Sequence, residues 1–341
     1  MARILVTGAR RGIGREITLT LARAGHEMVA TMRDPNGCDL ADIAAKEGLA
    51  ISLAALDVDD DASVRTLHHA FGRGVNLVDT AYIYGNGHSE EVIGRALRQW
   101  SGHKIYVATK SQPVEWPAPD DEAPQMRGRY PAWYLRKMVD NALRRLQVER
   151  IDLFQLHSWM VSGLYELDWL EALNALRVEG KIDQIGVSIR DYRPQDGVDL
   201  ARLGLVASQQ VVLNLFEQRP ANDLFKAGAG TQGFIARVPL DSGSLVGHWD
   251  EHTYAGFAQG SVPTQLFRGD RFAETLTRVQ ALKALCAPYY PTLAEAAMRY
   301  VLSCPELSCV IPGMLNPEQV DMNVVYSDGA LFPAELKAAL A

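Results

Sequence analysis

The sequence predicts an α/β protein built from parallel βα units. Ten short apolar or β-branched runs occur at 4–7, 27–31, 51–57, 75–79, 105–109, 152–156, 184–188, 209–213, 233–237 and 308–311, and amphipathic stretches separate them. Strands that alternate with helices pair in parallel, in either an open doubly wound sheet or a closed barrel. A chain of 341 residues accommodates one large barrel or two medium domains. Hydrophobic residues at 48% and charged residues at 22% exclude a disordered or fibrous chain.

The first run, 4–7, leads into Thr7-Gly8-Ala-Arg-Arg-Gly12-Ile-Gly14 and then an amphipathic stretch over 16–24. Glycines at a strand-to-helix turn let the backbone approach a pyrophosphate, which the free N–H groups and dipole of the helix then hold. This segment, about residues 1–63, resembles the start of a short-chain dehydrogenase/reductase. The resemblance extends to Arg33, placed for the 2′-phosphate of NADP, and to Asp57-Val58, placed for the adenine. It stops near residue 65, because no Asn-Asn-Ala-Gly segment follows and no Tyr-x-x-x-Lys pair lies on a helix. Tyr106 and Lys110 have that spacing but fall on an apolar run. A second dinucleotide site at Gly8, Gly12, Gly14, Arg33 and Asp57 and a purely structural βαβ element both stay open, whereas short-chain catalysis does not.

The later runs carry the polar chemistry. Asp79, Lys110 and His157 each stand at the C-terminal end of an apolar run, and Tyr84 lies in the segment after one of them. In a parallel barrel those strand ends converge on one face. A carbonyl that receives hydride develops negative charge on oxygen and needs a proton donor. A phenol, with a pKa near ~10, is a poor acid at neutral pH unless a cation favours its ionised form. Lys110 is expected to supply that cation, Asp79 to hold the ammonium, and a neutral His157 imidazole to orient the substrate oxygen beside Tyr84. Helical spacing of Leu135, Met138, Val139, Ala142 and Leu146, and of Leu170, Leu173 and Leu176, marks two core-facing helices.

From about residue 64 to 331 the chain resembles the aldo-keto reductase family. The segments that carry the resemblance, all in the family's order, are Gly74-Val-Asn-Leu-Val-Asp79-Thr-Ala with Tyr84-Gly, Val107-Ala-Thr-Lys110, Asp152-Leu-Phe-Gln-Leu-His157, Val310-Ile-Pro-Gly313 and Asn316-Pro-Glu-Gln319. The resemblance implies a (β/α)8 TIM barrel and NAD(P)H-dependent interconversion of a carbonyl and an alcohol, with NADP as cofactor and NAD possible. It places Ser188 and Gln210 at the nicotinamide carboxamide, Leu240 and Ser244 at the pyrophosphate, Gln319 and Asn323 at the adenine, and Gly313 in the cofactor site. Three positions depart from the family pattern: Ile189 follows the serine where Asn is common, Arg237 stands where an aromatic ring often stacks on the nicotinamide, and Leu315 stands where a basic residue often meets the 2′-phosphate.

The family's N-terminal hairpin and first barrel strand are absent, so only seven runs remain from 75–79 onward. The run at 51–57, followed by an amphipathic stretch over 63–71, is therefore expected to substitute for the first barrel strand. That divides the chain into a Rossmann-like βαβ extension at 1–50 and a barrel at 51–341. The alternatives are a dinucleotide-binding, catalytically weak sensor or scaffold, and a recombined, chimeric chain with an impaired barrel. Lys plus Arg number 34 against 41 Asp plus Glu with no dense basic cluster, which argues against a nucleic-acid partner. With no signal peptide or membrane span apparent, a cytoplasmic location is expected, and Cys38, Cys286, Cys304 and Cys309 read as free thiols. The partner is a small-molecule carbonyl or alcohol, whose identity depends on the loops 111–133, 158–168 and 241–268, where Trp116, Trp159 and Tyr165 are expected pocket walls.

Overall fold

A computed structural model describes residues 3–6, 12–32, 38–55, 58–118, 120–257 and 261–340. The chain divides into two compact units, Met1–Val64 and Arg65–Ala341. In the first, β1 (Arg3–Val6), β2 (Glu27–Met32) and β3 (Ile51–Ala55) form a parallel sheet in the order β1-β2-β3. The helices Gly12–Arg23 and Leu40–Glu47 make the crossovers. Leu19, Ala30, Cys38 and Leu40 form its buried core, with Ile43, Leu49, Ile51 and Leu53 packed against them.

That sheet overturns the expected role of the run at 51–57. β3 pairs with β2, from Met28 against Ile51 to Met32 against Ala55, and not with the strand at 77–79. The physical reason is local. A crossover containing only the eight-residue helix Leu40–Glu47 returns the chain beside the strand it has just left, and alternate residues Ile51 and Leu53 then cover the core made by Ala30 and Leu40.

In the second unit, seven parallel strands follow one another in both sequence and space: β4 (Leu77–Asp79), β5 (Tyr106–Ser111), β6 (Ile151–Leu156), β7 (Ile182–Ser188), β8 (Ser208–Val212), β9 (Gly233–Arg237) and β10 (Leu307–Ile311). They form a nearly closed barrel with helices around it. All ten predicted strands are present, but the barrel has seven strands among the described residues and not the eight expected, because β3 lies in the other sheet.

The helical layer bridges the gap that the sheet leaves between β4 and β10. Near the end of the helix Val58–Gly72, His69 Nε2 lies 3.0 Å from Asp321 Oδ1, and the Arg73 guanidinium pairs with the same carboxylate on the helix Pro317–Val324. On the other side His68 Nε2 is 2.9 Å from the Ala96 carbonyl, and Phe71 packs edge-on against Trp100 at 5.4 Å. Among the described residues no helix is long and apolar enough to cross a membrane.

Candidate active site

Asp79, Lys110 and His157 stand where β4, β5 and β6 end, so the parallel pairing of those strands brings them together. Lys110 is buried, and its Nζ donates to Asp79 Oδ2 and, at 2.9 Å, to the Thr80 carbonyl. Asp79 Oδ1 accepts from Gln155 Nε2 at 3.2 Å and from Gln210 Nε2 at 2.9 Å. One carboxylate thereby gathers β4, β5, β6 and β8. Gln155 was missed in the sequence, although a glutamine inside the apolar run Ile151–Leu156 was the available signal.

Tyr84 is positioned by a tight loop. The Gly87 amide donates to the Tyr82 carbonyl at 2.6 Å and the Ser89 amide to the Tyr84 carbonyl at 3.3 Å. Gly87 adopts φ 96°, and a Cβ there would meet Arg145 Nε at 2.6 Å, so the turn needs glycine on both counts. The helix that follows, His88–Gln99, is fastened by buried Glu90, which accepts from Thr109 Oγ1 and from Arg145 Nε, each at 2.6 Å. The loop therefore hangs from β5 and the helix Ala132–Leu146, and Tyr84 is fixed relative to Lys110.

The Tyr84 ring meets His157 edge-on at 5.9 Å, and Lys110 Nζ is 5.5 Å from the Tyr84 ring centre. Trp116 packs on His157, also at 5.9 Å, as a pocket wall should. The expectation fails for Trp159, which is fully buried against Trp169 and donates Nε1 to the Asp196 carbonyl at 2.9 Å, while Tyr165 is 85% exposed. Among the described residues, His157 Nδ1 is buried without a hydrogen-bond partner. Burial, followed by the positive charges of Lys110 and Arg237, pushes the His157 pKa down to about 3, so the imidazole is neutral at physiological pH.

The electrostatics of Tyr84 differ from expectation. Its phenol is held above its usual range, first by burial and then by the Asp79 carboxylate, and the cation that acts against this is Arg237. Lys110 is committed to Asp79. Burial draws its ammonium below the usual range, with Asp79 opposing.

Ser188 and Gln210 are register partners on β7 and β8, and both are buried. Arg237 ends β9, and after it comes a strained turn in which Val238, Asp241 and Ser242 all have positive φ. Such turns present backbone N–H groups to anions. Leu240 lies within that turn and Ser244 just after it, and Ser244 Oγ donates to Asp241 Oδ2 at 2.7 Å. Past β10 come Gly313 and then the helix Pro317–Val324, where Asn316 caps the Gln319 amide at 2.9 Å and Gln319 Oε1 accepts from the Leu315 amide at 2.8 Å. Asn323, one turn beyond Gln319, is buried. Apart from Gln210, in the middle of β8, these residues lie at or beyond the C-terminal ends of β7, β9 and β10, the end of the barrel strands where Asp79, Lys110 and His157 stand. In the N-terminal glycine segment, Gly12 and Gly14 belong to the helix Gly12–Arg23, and Gly8, Arg33 and Asp57 lie outside the described residues.

Comparison with known proteins follows this division. Residues 49–339 match the aldo/keto reductase family, and residues 2–89 match the short chain dehydrogenase family. Both matches include 49–89, a strand, helix and strand from which the fold assigns β3 to one sheet and β4 to the other. An NADH-specific methylglyoxal reductase of Escherichia coli (strain K12) is 26% identical over 283 residues, which is 79% of this chain and 83% of that one. The structure of a glycerol dehydrogenase from Gluconobacter oxydans is 30% identical with a TM-score of 0.67, covering 84% of this chain and 85% of that one. An aldo/keto reductase from Klebsiella pneumoniae, solved with NADP and acetate, is 21% identical with a TM-score of 0.58, covering 84% and 86%.

Proposed function

The chain belongs to the aldo/keto reductase family and is an NAD(P)-dependent oxidoreductase, and from that premise we propose that it interconverts an aldehyde or ketone with the corresponding alcohol, Tyr84 passing the proton. The observation that carries this reading is the meeting of four groups at one barrel mouth: Tyr84 against His157, Lys110 below the Tyr84 ring, and Asp79 on Lys110.

The mouth fits a bound dinucleotide and substrate, because among the described residues His157 Nδ1 and Arg237 Nε are buried polar atoms without a hydrogen-bond partner. Ser188 and Gln210 would hold the nicotinamide end, Arg237 would lie beside it, Leu240, Ser244 and Gly313 would line the phosphates, and Gln319 with Asn323 would hold the adenine. The bound cofactor, NADP or NAD, supplies or accepts the hydride. The protein's part is to place the carbonyl oxygen between the Tyr84 hydroxyl and the His157 ring. A neutral imidazole donates a hydrogen bond there without competing as an acid, and Tyr84 gives its proton to the oxygen as charge develops.

The names of the relatives make methylglyoxal, and glycerol in the reverse direction, the first substrates to try. Tyr84→Phe is expected to lower turnover roughly 10²- to 10⁴-fold with cofactor binding retained. Unchanged turnover removes Tyr84 from the reaction. The seven-stranded sheet favours a second reading, a dinucleotide-binding protein of weak turnover. Cofactor binding without hydride transfer to a broad aldehyde panel would select it.

A further inference from the structure

We propose that Gln155 is a positioning residue for the reaction: its amide aims the Asp79 carboxylate at Lys110 and so fixes the ammonium that lies below the Tyr84 ring. The inference rests on the catalytic reading of Asp79, Tyr84 and Lys110. It assigns a role to a residue that those groups and the cofactor contacts leave out.

Register puts Gln155 in place. On β6 it stands between Lys110 of β5 and Gly186 of β7. It is fully buried, and its Nε2 donates to Asp79 Oδ1 at 3.2 Å. β5 lies between β4 and β6, so the side chain passes β5 on the inner side of the barrel to reach its partner. Glycine at 186 leaves room for this, since a Cβ there would lie 3.1 Å from Gln155 Cγ and 2.5 Å from Ser208 Oγ. The orientation of the amide follows from its partner, because a carboxylate only accepts and Nε2 is the donor.

The division of contacts at Asp79 carries the proposal. Oδ2 takes Lys110, while Oδ1 takes two amides, Gln155 from β6 and Gln210 from β8. An aspartate carboxylate by itself turns through a broad range about its last bond. Donors from two different strands hold its plane, and with it the place of Lys110 Nζ, 5.5 Å from the Tyr84 ring centre. Gln210 is also needed elsewhere, because the proposed function turns it to the nicotinamide. Gln155 is not shared in this way, and its Oε1 is buried without a hydrogen-bond partner among the described residues. A buried acceptor left unpaired costs stability. An apolar side chain of the same length would avoid that cost, so the amide serves direction rather than folding.

Two substitutions in the full chain test this. Gln155→Met keeps the length and removes both polar atoms. Its kcat for methylglyoxal reduction with NADPH or NADH should fall roughly 10- to 10²-fold, while its urea midpoint stays at or above that of wild type. Gln155→Glu restores the donor only while the new carboxyl group carries a proton, because the ionised form repels Asp79 and competes for Lys110. The ratio of its kcat to that of wild type should be highest at about pH 5 and fall towards about pH 9, whereas the ratio for Gln155→Met stays low throughout. A drop in the urea midpoint of Gln155→Met that accompanies its loss of turnover overturns the proposal, since the amide would then be a structural element. A flat ratio in Gln155→Glu overturns it as well. Gln155→Met at full rate beside an inactive Tyr84→Phe defeats this proposal alone. A wild-type protein inactive on the aldehyde panel, or an active Tyr84→Phe, defeats the catalytic reading and this proposal with it.

Discussion

Asp79→Asn is the most informative perturbation of the site, because it removes one charge and almost no volume. In the wild-type protein the Lys110 side chain is wholly buried and its ammonium rests on Asp79 and the Thr80 carbonyl. The substitution leaves a buried charge with only neutral acceptors, the Thr80 carbonyl and the Asn amide oxygen. Loss of one partner from a buried pair costs about 3–5 kcal/mol, and rearrangement of the Gln155 and Gln210 amides around the new Asn recovers part of it. Lys110 can escape the penalty by losing its proton. Burial already draws its pKa below the usual range while Asp79 resists, so without Asp79 it falls further.

The sign of the pH dependence follows. A lysine whose folded pKa lies below its unfolded value of about 10.4 costs stability as pH falls below 10.4. The variant should therefore regain up to about 1.4 kcal/mol per pH unit as pH rises between those two values. Urea unfolding followed by tryptophan fluorescence is the assay, since Trp100, Trp116, Trp133, Trp159, Trp169 and Trp249 all lie in the barrel unit and none in Met1–Val64. The variant should be several kcal/mol less stable than wild type near pH 7, with the deficit shrinking towards about pH 9. A loss below about 1 kcal/mol, or a deficit equal at both pH values, would refute the view that Lys110 holds its charge through Asp79.

Two further outcomes are expected from the same scaffold. Burial, then the charges of Lys110 and Arg237, pushes the His157 pKa down from the usual 6.5 to about 3, so its neutral form contributes stability that is complete above pH 6.5 and is lost as pH falls towards 3. Wild type should lose up to about 1.4 kcal/mol per pH unit across that window relative to His157→Gln, and parallel urea-midpoint curves for the two proteins would contradict this. At Gly94 an added Cβ would lie 2.4 Å from the Arg145 carbonyl oxygen and 2.8 Å from the Leu146 carbonyl, both backbone atoms that cannot swing aside. Gly94→Ala should push the helices His88–Gln99 and Ala132–Leu146 apart at a cost of about 1–3 kcal/mol, and a thermal midpoint equal to wild type would show that they are not in close contact.

What the sequence by itself determined is the set of elements and their chemistry. Strands of three to seven residues announce themselves through apolar runs, and Asp79, Lys110 and His157 are found because each is a polar residue where such a run ends. The order βα repeated also dictates parallel pairing, so the convergence of those strand ends needed no coordinates. Tertiary structure alone decided three things. The run at 51–55 is apolar enough for either sheet, and only the competition between pairing with β2 through a short crossover and pairing with β4 assigns it, which leaves the barrel one strand short. Gln155 joins the site, and Gln210, already expected at the cofactor, becomes a partner of Asp79, only when strands far apart in sequence bring both amides to one carboxylate. The charge that acts on Tyr84 is a sum over distance and burial. Lys110, the cation the sequence offers, is paired with Asp79, and the carboxylate of that pair itself acts on Tyr84.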